Sequence, residues 1–152
     1  MAKIVHTMGL GARSLPTVLE VLAAARVRRV VDIRRYGTSA RHPHHASAAL
    51  HPALAAAGYE VADLGALLGG DRPRGYGAWM RSAGFRRGLE RLEALALEAP
   101  TVILCAEASP ERCHRRFVAA ALEERGWAVA HHGRALSERT ARGEMRVVRK
   151  TG

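Results

Sequence analysis

Short apolar stretches of strand length alternate with segments of helical periodicity along most of this chain. The β-branched run 29–33 reads as a strand, whereas Leu15, Val18, Leu19 and Leu22 recur at the spacing of one helix face. Further strands are predicted at 3–8, 59–64, 101–106 and 127–131, and further helices at 82–99 and 110–125. This alternation is typical of a parallel sheet covered on both faces. We therefore predict an α/β fold, a single domain over residues 1–152 with three α/β/α layers and a mostly parallel, Rossmann-like sheet of unassigned strand order.

The composition limits the class of protein. Hydrophobic residues make up 48% and charged residues 25% of the 152 residues, which is a globular and not a disordered balance. No apolar run has the length of a membrane span, and the first ten residues lack the form of a secretory signal. We expect a cytoplasmic protein without a membrane partner, in which the two cysteines are free thiols.

The net charge of +10 points to an anionic partner, either a small molecule or nucleic acid. Only Lys3 and Lys150 among the 24 basic residues are lysines, and arginine binds phosphate and carboxylate through a planar fork. The same bias is typical of a GC-rich genome, an interpretation that we favour over nucleic-acid binding.

Five residues able to carry chemistry lie within eleven positions: Cys105, Glu107, Cys113, His114 and Arg115. Cys105 lies at the end of the predicted strand 101–106 and Glu107 follows that strand, whereas the other three residues belong to the predicted helix 110–125. Because ligands bind at the carboxyl edge of a parallel sheet, this edge is the candidate site.

The start of that helix is predicted at Ser109, as N-cap, and Pro110, as first helical residue. Cys113 and His114 then occupy the first turn and face the sheet close to Cys105, whereas Arg115 turns away from the packed side.

This constellation allows several chemistries. A thiolate near a helix N-terminus and a cationic side chain is a nucleophile. Alternatively, first-turn amides and Arg115 bind an oxyanion, with Glu107 as acid or base. Both cysteines are also compatible with simple burial as small hydrophobes. We favour a site, because a buried Glu107 carboxylate and His114 imidazole need partners.

Two other strand ends are polar. Asp32 and Arg34 close the second strand, and Thr7 and Arg13 bracket the turn after the first. A structural salt bridge between Asp32 and an arginine is an equally good account of the first pair.

Two further segments predict neither a metal site nor a cofactor. His42, His44, His45 and His51 match no zinc spacing and are expected to lie in solvent. The glycine-rich segment 65–77 is predicted as a loop, with Tyr76 and Trp79 as anchors of a flap, and it lacks a phosphate-loop pattern. A late strand is predicted at 145–148 within a basic tail, 133–152.

The motifs, taken in order, resemble the bacterial and archaeal domain of unknown function 488 family. The resemblance covers roughly residues 3–132. It is carried by these residues: Thr7-Met8-Gly9, Arg13-Ser14-Leu15, Val31-Asp32-Ile33-Arg34, Leu68-Gly69-Gly70, Gly75-Tyr76 and Met80, Leu104-Cys105-Ala106-Glu107 and Cys113-His114-Arg115.

The resemblance implies a single α/β domain with a shared polar site, whose activity the family name leaves open. The positions that it implies are Asp32, Arg34, Cys105, Glu107, Cys113, His114 and Arg115. Relatives usually carry a His-Ser pair where this chain has Leu10 and Gly11, so contacts made by that pair are lost here.

Three hypotheses follow. The leading one is a small enzyme that binds a phosphate-bearing or nucleotide-like anion, with Cys105 as nucleophile or redox thiol, Glu107 and His114 as acid and base, and Arg34 and Arg115 as anion clamp. The second is a non-catalytic nucleic-acid-binding module. The third is a thiol redox protein that uses Cys105 and Cys113.

Overall fold

The computed structural model describes residues 3–107 and 113–132. Within them the strands are β1 (Ile4–Gly9), β2 (Arg29–Asp32), β3 (Glu60–Asp63), β4 (Thr101–Cys105) and β5 (Ala128–His132). The helices are α1 (Leu15–Ala25), α2 (Ser47–Ala56), α3 (Gly65–Leu68), α4 (Tyr76–Met80), α5 (Ala83–Glu98) and α6 (Arg115–Glu124), and a 3₁₀ turn covers Pro43–His45.

The strands form one sheet in the order β3-β2-β4-β1-β5, and every pairing is parallel. The chain leaves β1 and β2 toward one edge of the sheet and leaves β3 and β4 toward the other. Because crossovers between parallel strands are right-handed, these two directions place the connecting helices on opposite faces. The predicted three-layer α/β/α fold with a Rossmann-like sheet is confirmed.

Each face of the sheet has its own apolar core. One core joins Val30, Val102 and Leu104 of the sheet to α1 and α2. The other joins Val31 and Ile103 to α3, α5 and α6. Central strands buried on both faces need continuous apolar sequence, as the fully buried run of β4 shows.

Serine caps set the starts of α1 and α5, two helices that the sequence predicted. The Ser14 hydroxyl accepts a hydrogen bond from the Thr17 amide at the start of α1. The Ser82 hydroxyl accepts one from Phe85 at the start of α5. The amide N–H groups of the first helical turn have no acceptor within the helix, and the serine hydroxyl supplies one.

Two predicted segments differ from the structure. The loop expected at 65–77 contains α3 and the start of α4, because Leu68 is fully buried in the core and pulls this segment onto the sheet. Tyr76 and Trp79 anchor it as expected, since both donate hydrogen bonds to carbonyls of α3, at Leu68 and Leu67.

The last helix begins at Arg115, later than predicted, and His114 stands at its N-cap position. The predicted start at residues 109–110 and the late strand at 145–148 lie outside the described residues. Across residues 3–107 and 113–132, no helix has the length and apolar character needed to cross a membrane.

The end of β1 meets the end of β4 at very short range. A Cβ atom on Gly9 would lie 1.6 Å from the Glu107 carbonyl oxygen and 2.5 Å from an Arg115 guanidinium nitrogen. Gly9 pairs with Cys105 in the sheet register, so the absence of a side chain here lets the two strand ends close together.

We predict that Gly9→Ala destabilises the fold by about 2–4 kcal/mol, since the backbone of 107 has to move and the buried Arg115 moves with it. The measurement is denaturant unfolding. Gly77→Ala is the matched control, because Gly77 is exposed in α4 and a Cβ there meets nothing within 4 Å. Equal stability of the two variants would contradict the role of the close approach.

Candidate functional site

The candidate site lies at the carboxyl edge of the sheet, at the loops after β1 and β4, which connect these strands to α1 and α6 on opposite faces. These loops are joined by backbone hydrogen bonds from Leu10 to Cys105 and from Gly11 to Ala106, both 2.8 Å long. Neighbouring loops that leave for opposite faces open a crevice between them, which is the ordinary ligand position of α/β sheets.

Two thiols meet at this edge. The Sγ atoms of Cys105 and Cys113 lie 2.7 Å apart, and both residues are free cysteines. Cys105 is fully buried at the end of β4, whereas Cys113 keeps 7% exposure and lines a cleft. The predicted proximity of the two residues is confirmed, and Cys113 is the one that a ligand can reach.

His114 is held in one orientation beside the thiols. Its Nε2 lies 3.1 Å from the Ile33 carbonyl oxygen, and its Nδ1 lies 3.8 Å from the Cys113 sulfur. Because a carbonyl only accepts, Nε2 carries a proton and donates it. In a neutral ring, Nδ1 is then the basic nitrogen, and it faces the Cys113 thiol.

Arg115 is fully buried, which corrects the prediction that it turns away from the packed side. That prediction continued one helix through residues 113–115, but α6 begins only at Arg115, so the helical wheel does not apply to the residues before it. One guanidinium nitrogen lies 3.2 Å from the Cys105 sulfur and donates to the Glu107 carbonyl at 3.2 Å.

The environment separates the ionisation of the two thiols. The hydrogen bond from the Cys105 thiol, aided by His114 and the Arg115 amide, lowers the pKa of Cys113 to about 4 despite its burial. Burial and the hydrogen bond to Cys113 raise the pKa of Cys105 well above its ordinary value, against the opposing charge of Arg115. Cys113 is therefore the thiolate, and Cys105 keeps its proton.

Glu107 contributes its backbone here. Its carbonyl oxygen receives the Arg115 guanidinium, whereas the residue itself is exposed at the rim of the cleft. The expectation of a buried carboxylate is wrong, because the strand ends at Cys105 and does not carry Glu107 into the interior.

The cleft beside Cys113 has a volume of about 700 Å³. Its lining is rich in basic side chains: Arg34, Arg35, Arg41, His42, His45 and His114. Asp71 and Glu107 are its acidic side chains. Leu10 and Gly11 also line it.

Arg34 lines one wall of the cleft, and Asp32 lies behind it as its ion-pair partner. The buried Arg34 guanidinium donates to both carboxylate oxygens of Asp32, at 2.7–3.1 Å, and to the His45 carbonyl at 2.6 Å. His51 of α2 contacts the same carboxylate at 2.8 Å. The salt-bridge account of this pair is therefore present in the structure, and it ties β2 to the segment before α2.

Burial alone would raise the pKa of Asp32, but the hydrogen bonds and the charge of Arg34, with the contact from His51, lower it below its ordinary value. The carboxylate form is thus the one that the fold stabilises.

The histidine segment is only partly in solvent, which corrects the expectation for this region. His45 is buried, and its Nε2 lies 2.7 Å from the Arg13 carbonyl oxygen, while that of His44 lies 2.9 Å from the same oxygen. Burial lowers the pKa of His45. In the described parts of the chain, no three His, Cys, Asp or Glu side chains are grouped so that they could hold a metal ion.

Arg13 lies under the loop after β1, where its guanidinium donates to the Gly9 carbonyl at 3.0 Å. Burial and the positive charge of Arg115 lower the pKa of Arg13. Two guanidinium groups, those of Arg13 and Arg115, therefore lie near one another at this edge of the sheet.

Some contacts of the site had no signal in the sequence. Tyr36 and Asp71 face each other across the cleft rim, with the Tyr36 hydroxyl donating to the Asp71 carboxylate at 3.1 Å. The Gly70 backbone packs closely against the His114 ring, since a Cβ atom on Gly70 would lie 3.3 Å from Nδ1 of His114. These segments meet only in the tertiary fold, so no residue spacing in the sequence predicts the contacts between them.

Residues 14–122 match a family model described as Domain of unknown function DUF488. The chain belongs to this family. The matched range includes the thiols, His114, Arg115 and the Asp32–Arg34 pair, whereas Thr7 to Arg13 lie before it. The DUF488 description carries no activity, and neither the curated proteins nor the solved structures compared with the chain include a match.

We predict that Asp32→Asn lowers the free energy of unfolding by about 3–5 kcal/mol, because it leaves the buried Arg34 guanidinium without its counter-charge. Asp63→Asn is the control. Asp63 pairs with Asp32 in the strand register, but it is exposed, and the amide oxygen can still accept from Gly65.

The pH dependence has a defined sign. Since the folded pKa of Asp32 is lowered, its contribution is complete above the ordinary pKa of about 3.9 and is lost as the pH falls toward the folded value. The free energy of unfolding, measured from pH 7 to pH 3, should therefore fall more steeply for the native protein than for Asp32→Asn. Parallel curves would contradict this.

Proposed function

We propose that this protein is a cysteine-dependent enzyme that binds a phosphate-bearing small anion in the basic cleft, with Cys113 as its nucleophile. This assignment moves the nucleophile from Cys105, the sequence-based candidate, to the thiol at the cleft. Cys105, His114 and Arg115 tune or orient that thiol, and Glu107 stays a candidate acid or base at the rim.

The observation that carries the proposal is the placement of the Cys113 sulfur. It borders a cleft of about 700 Å³, it lies 2.7 Å from the Cys105 sulfur, and it lies 3.8 Å from Nδ1 of His114. A thiolate at neutral pH with an adjacent imidazole is the usual form of an activated cysteine nucleophile.

The charge of the cleft supports an anionic substrate. Arg35 and Arg41 reach its surface beside His42, and these basic side chains outnumber the acidic Asp71 and Glu107 in the lining. A bound anion relieves the repulsion between neighbouring positive charges. Arg34 is less suited to clamp a ligand than predicted, because Asp32 and the His45 carbonyl already engage its guanidinium.

The reaction class that fits is nucleophilic transfer. The Cys113 sulfur forms a bond to an electrophilic centre of the substrate as the bond to the leaving group breaks. The His114 imidazole, which takes the thiol proton on forming the ion pair, returns that proton to the leaving group. The neutral ring then takes a proton from a water molecule whose oxygen attacks the covalent intermediate, and the bond to sulfur breaks, which restores the Cys113 thiolate and the protonated ring.

We predict that alkylation of Cys113 by iodoacetamide in the native protein is nearly independent of pH between about pH 6 and pH 9, because the thiolate is already formed. Mass mapping assigns the label, since the chain has only two cysteines. Cys105 should react only after denaturation.

Cys105→Ala is the diagnostic variant. Loss of the donated hydrogen bond should raise the pKa of Cys113, so the alkylation rate of this variant should rise with pH. A native rate that climbs tenfold per pH unit toward an ordinary thiol pKa of about 8.5 would contradict the proposed nucleophile.

We also predict that inorganic phosphate slows alkylation of Cys113 and that Arg41→Ala weakens this protection by about tenfold, the effect of about 1.4 kcal/mol from one charged hydrogen bond. Arg87→Ala is the matched control, because Arg87 is exposed on α5 and does not line the cleft. Sodium chloride at the same ionic strength separates binding from screening. Equal protection in both variants would contradict an anion site in the cleft.

A further inference from the structure

We propose that a hydroperoxide oxidises Cys113 and that Cys105 then closes an intramolecular disulfide with it, which reversibly switches off the thiol chemistry of the cleft. The inference deepens the proposed function and rests on it in one respect, the assignment of Cys113 as the accessible thiolate. It assigns a modification site and a class of oxidant to the same pair of sulfurs.

The first support is the geometry of the reduced pair. The two sulfurs lie 2.7 Å apart, so an approach of about 0.7 Å brings them to the disulfide bond length of about 2.05 Å. The two residues are eight positions apart, so the linkage stays within one short segment of the chain. No large displacement of β4 or α6 is needed.

The second support is the unequal exposure of the two thiols. Cys113 is at the cleft wall, where a small peroxide can reach it, whereas Cys105 is fully buried. Oxidation of a cysteine by peroxide requires an accessible thiolate, and a second thiol nearby prevents further oxidation by condensing with the first product. The pair has both parts of this arrangement.

The third support is the surroundings of Cys105. The Arg115 guanidinium lies 3.2 Å from its sulfur and stabilises negative charge that develops there during attack. Arg115 also donates a hydrogen bond to the Glu107 carbonyl, which fixes the guanidinium beside the Cys105 sulfur.

The chemistry balances in two steps. The Cys113 thiolate attacks one peroxide oxygen, the O–O bond breaks, and the departing alkoxide or hydroxide takes a proton to leave as alcohol or water, with Cys113 as sulfenic acid. The Cys105 sulfur then attacks the Cys113 sulfur, the S–O bond breaks, and the hydroxyl departs with the Cys105 proton as water. The two thiols lose two electrons in total, and the peroxide accepts them.

The test uses the full chain treated with one equivalent of hydrogen peroxide. We expect both thiols to disappear together, the monomer to lose two hydrogen atoms in mass, and dithiothreitol to restore both. Alkylation of Cys113 should fall by about tenfold or more in the oxidised protein and recover on reduction.

Two variants identify the steps. In Cys105→Ala, Cys113 should stop at a sulfenic acid that a cyclic diketone labels, and in Cys113→Ala, Cys105 should keep its thiol under the same treatment. A monomer with Cys113 overoxidised and Cys105 still free, a disulfide between two chains, or two unreacted thiols would each overturn the inference.

The alkylation profile of the reduced protein keeps the two proposals apart. A pH-independent Cys113 without disulfide formation would leave the proposed nucleophile standing and remove the switch. An ordinary thiol profile together with a disulfide would remove the proposed function and limit the inference to pairing of the two cysteines, which overturns the switch as stated.

Discussion

The buried guanidinium of Arg115 is the interaction on which the rest of the site depends. A charged group in a protein interior costs several kcal/mol unless its surroundings supply negative charge and acceptors. Here the Glu107 carbonyl and the sulfur of Cys105 lie against it, and the negative charge of Cys113 stands one sulfur further away. The hydrogen bonds run in one direction, from guanidinium to Cys105 and from the Cys105 thiol to the thiolate, so each strengthens the next. The close packing of this guanidinium also explains the glycine at position 9, because a Cβ atom there would collide with the Glu107 carbonyl and with the Arg115 side chain.

The topology converts that local arrangement into a cleft. β1 connects to α1, which lies with α2 on one face of the sheet, and β4 connects to α6 on the other face. The space between them is closed on the β2 side by the Asp32–Arg34 ion pair, which binds the His45 carbonyl and holds the segment before α2 against the sheet. The ion pair is thus structural in its contacts, yet it shapes the wall that a ligand would meet.

The sequence predicted the parts of this fold that local chemistry controls. The apolar run of β4 and the serine caps of α1 and α5 each have a direct physical cause within a few residues. The proximity of Cys105 and Cys113 followed from the shared edge of parallel strands. The position of Arg115 was predicted wrongly because a helical wheel assumes a continuous helix, whereas α6 begins only at Arg115. The burial of an arginine also depends on hydrogen-bond acceptors from other segments, which a helical wheel does not include. Strand order and the meeting of Tyr36 with Asp71 depend on tertiary packing between segments distant in the chain, which no local pattern encodes. The nucleic-acid hypothesis stays a prediction from net charge, since the basic tail lies outside the described residues.

The proposed nucleophile and the proposed redox switch both depend on the short distance between the Cys105 and Cys113 sulfurs. A molecule in which the disulfide has formed therefore has no Cys113 nucleophile. The hydrogen bond that keeps Cys113 ionised requires the Cys105 thiol at close range, and that distance is also what makes disulfide formation easy. A chain that needed only the nucleophile could supply the same hydrogen bond with a serine at position 105, which cannot form a disulfide. The thiol at this fully buried position therefore adds nothing to the ionisation of Cys113 that a hydroxyl could not, and its distinguishing property is oxidation.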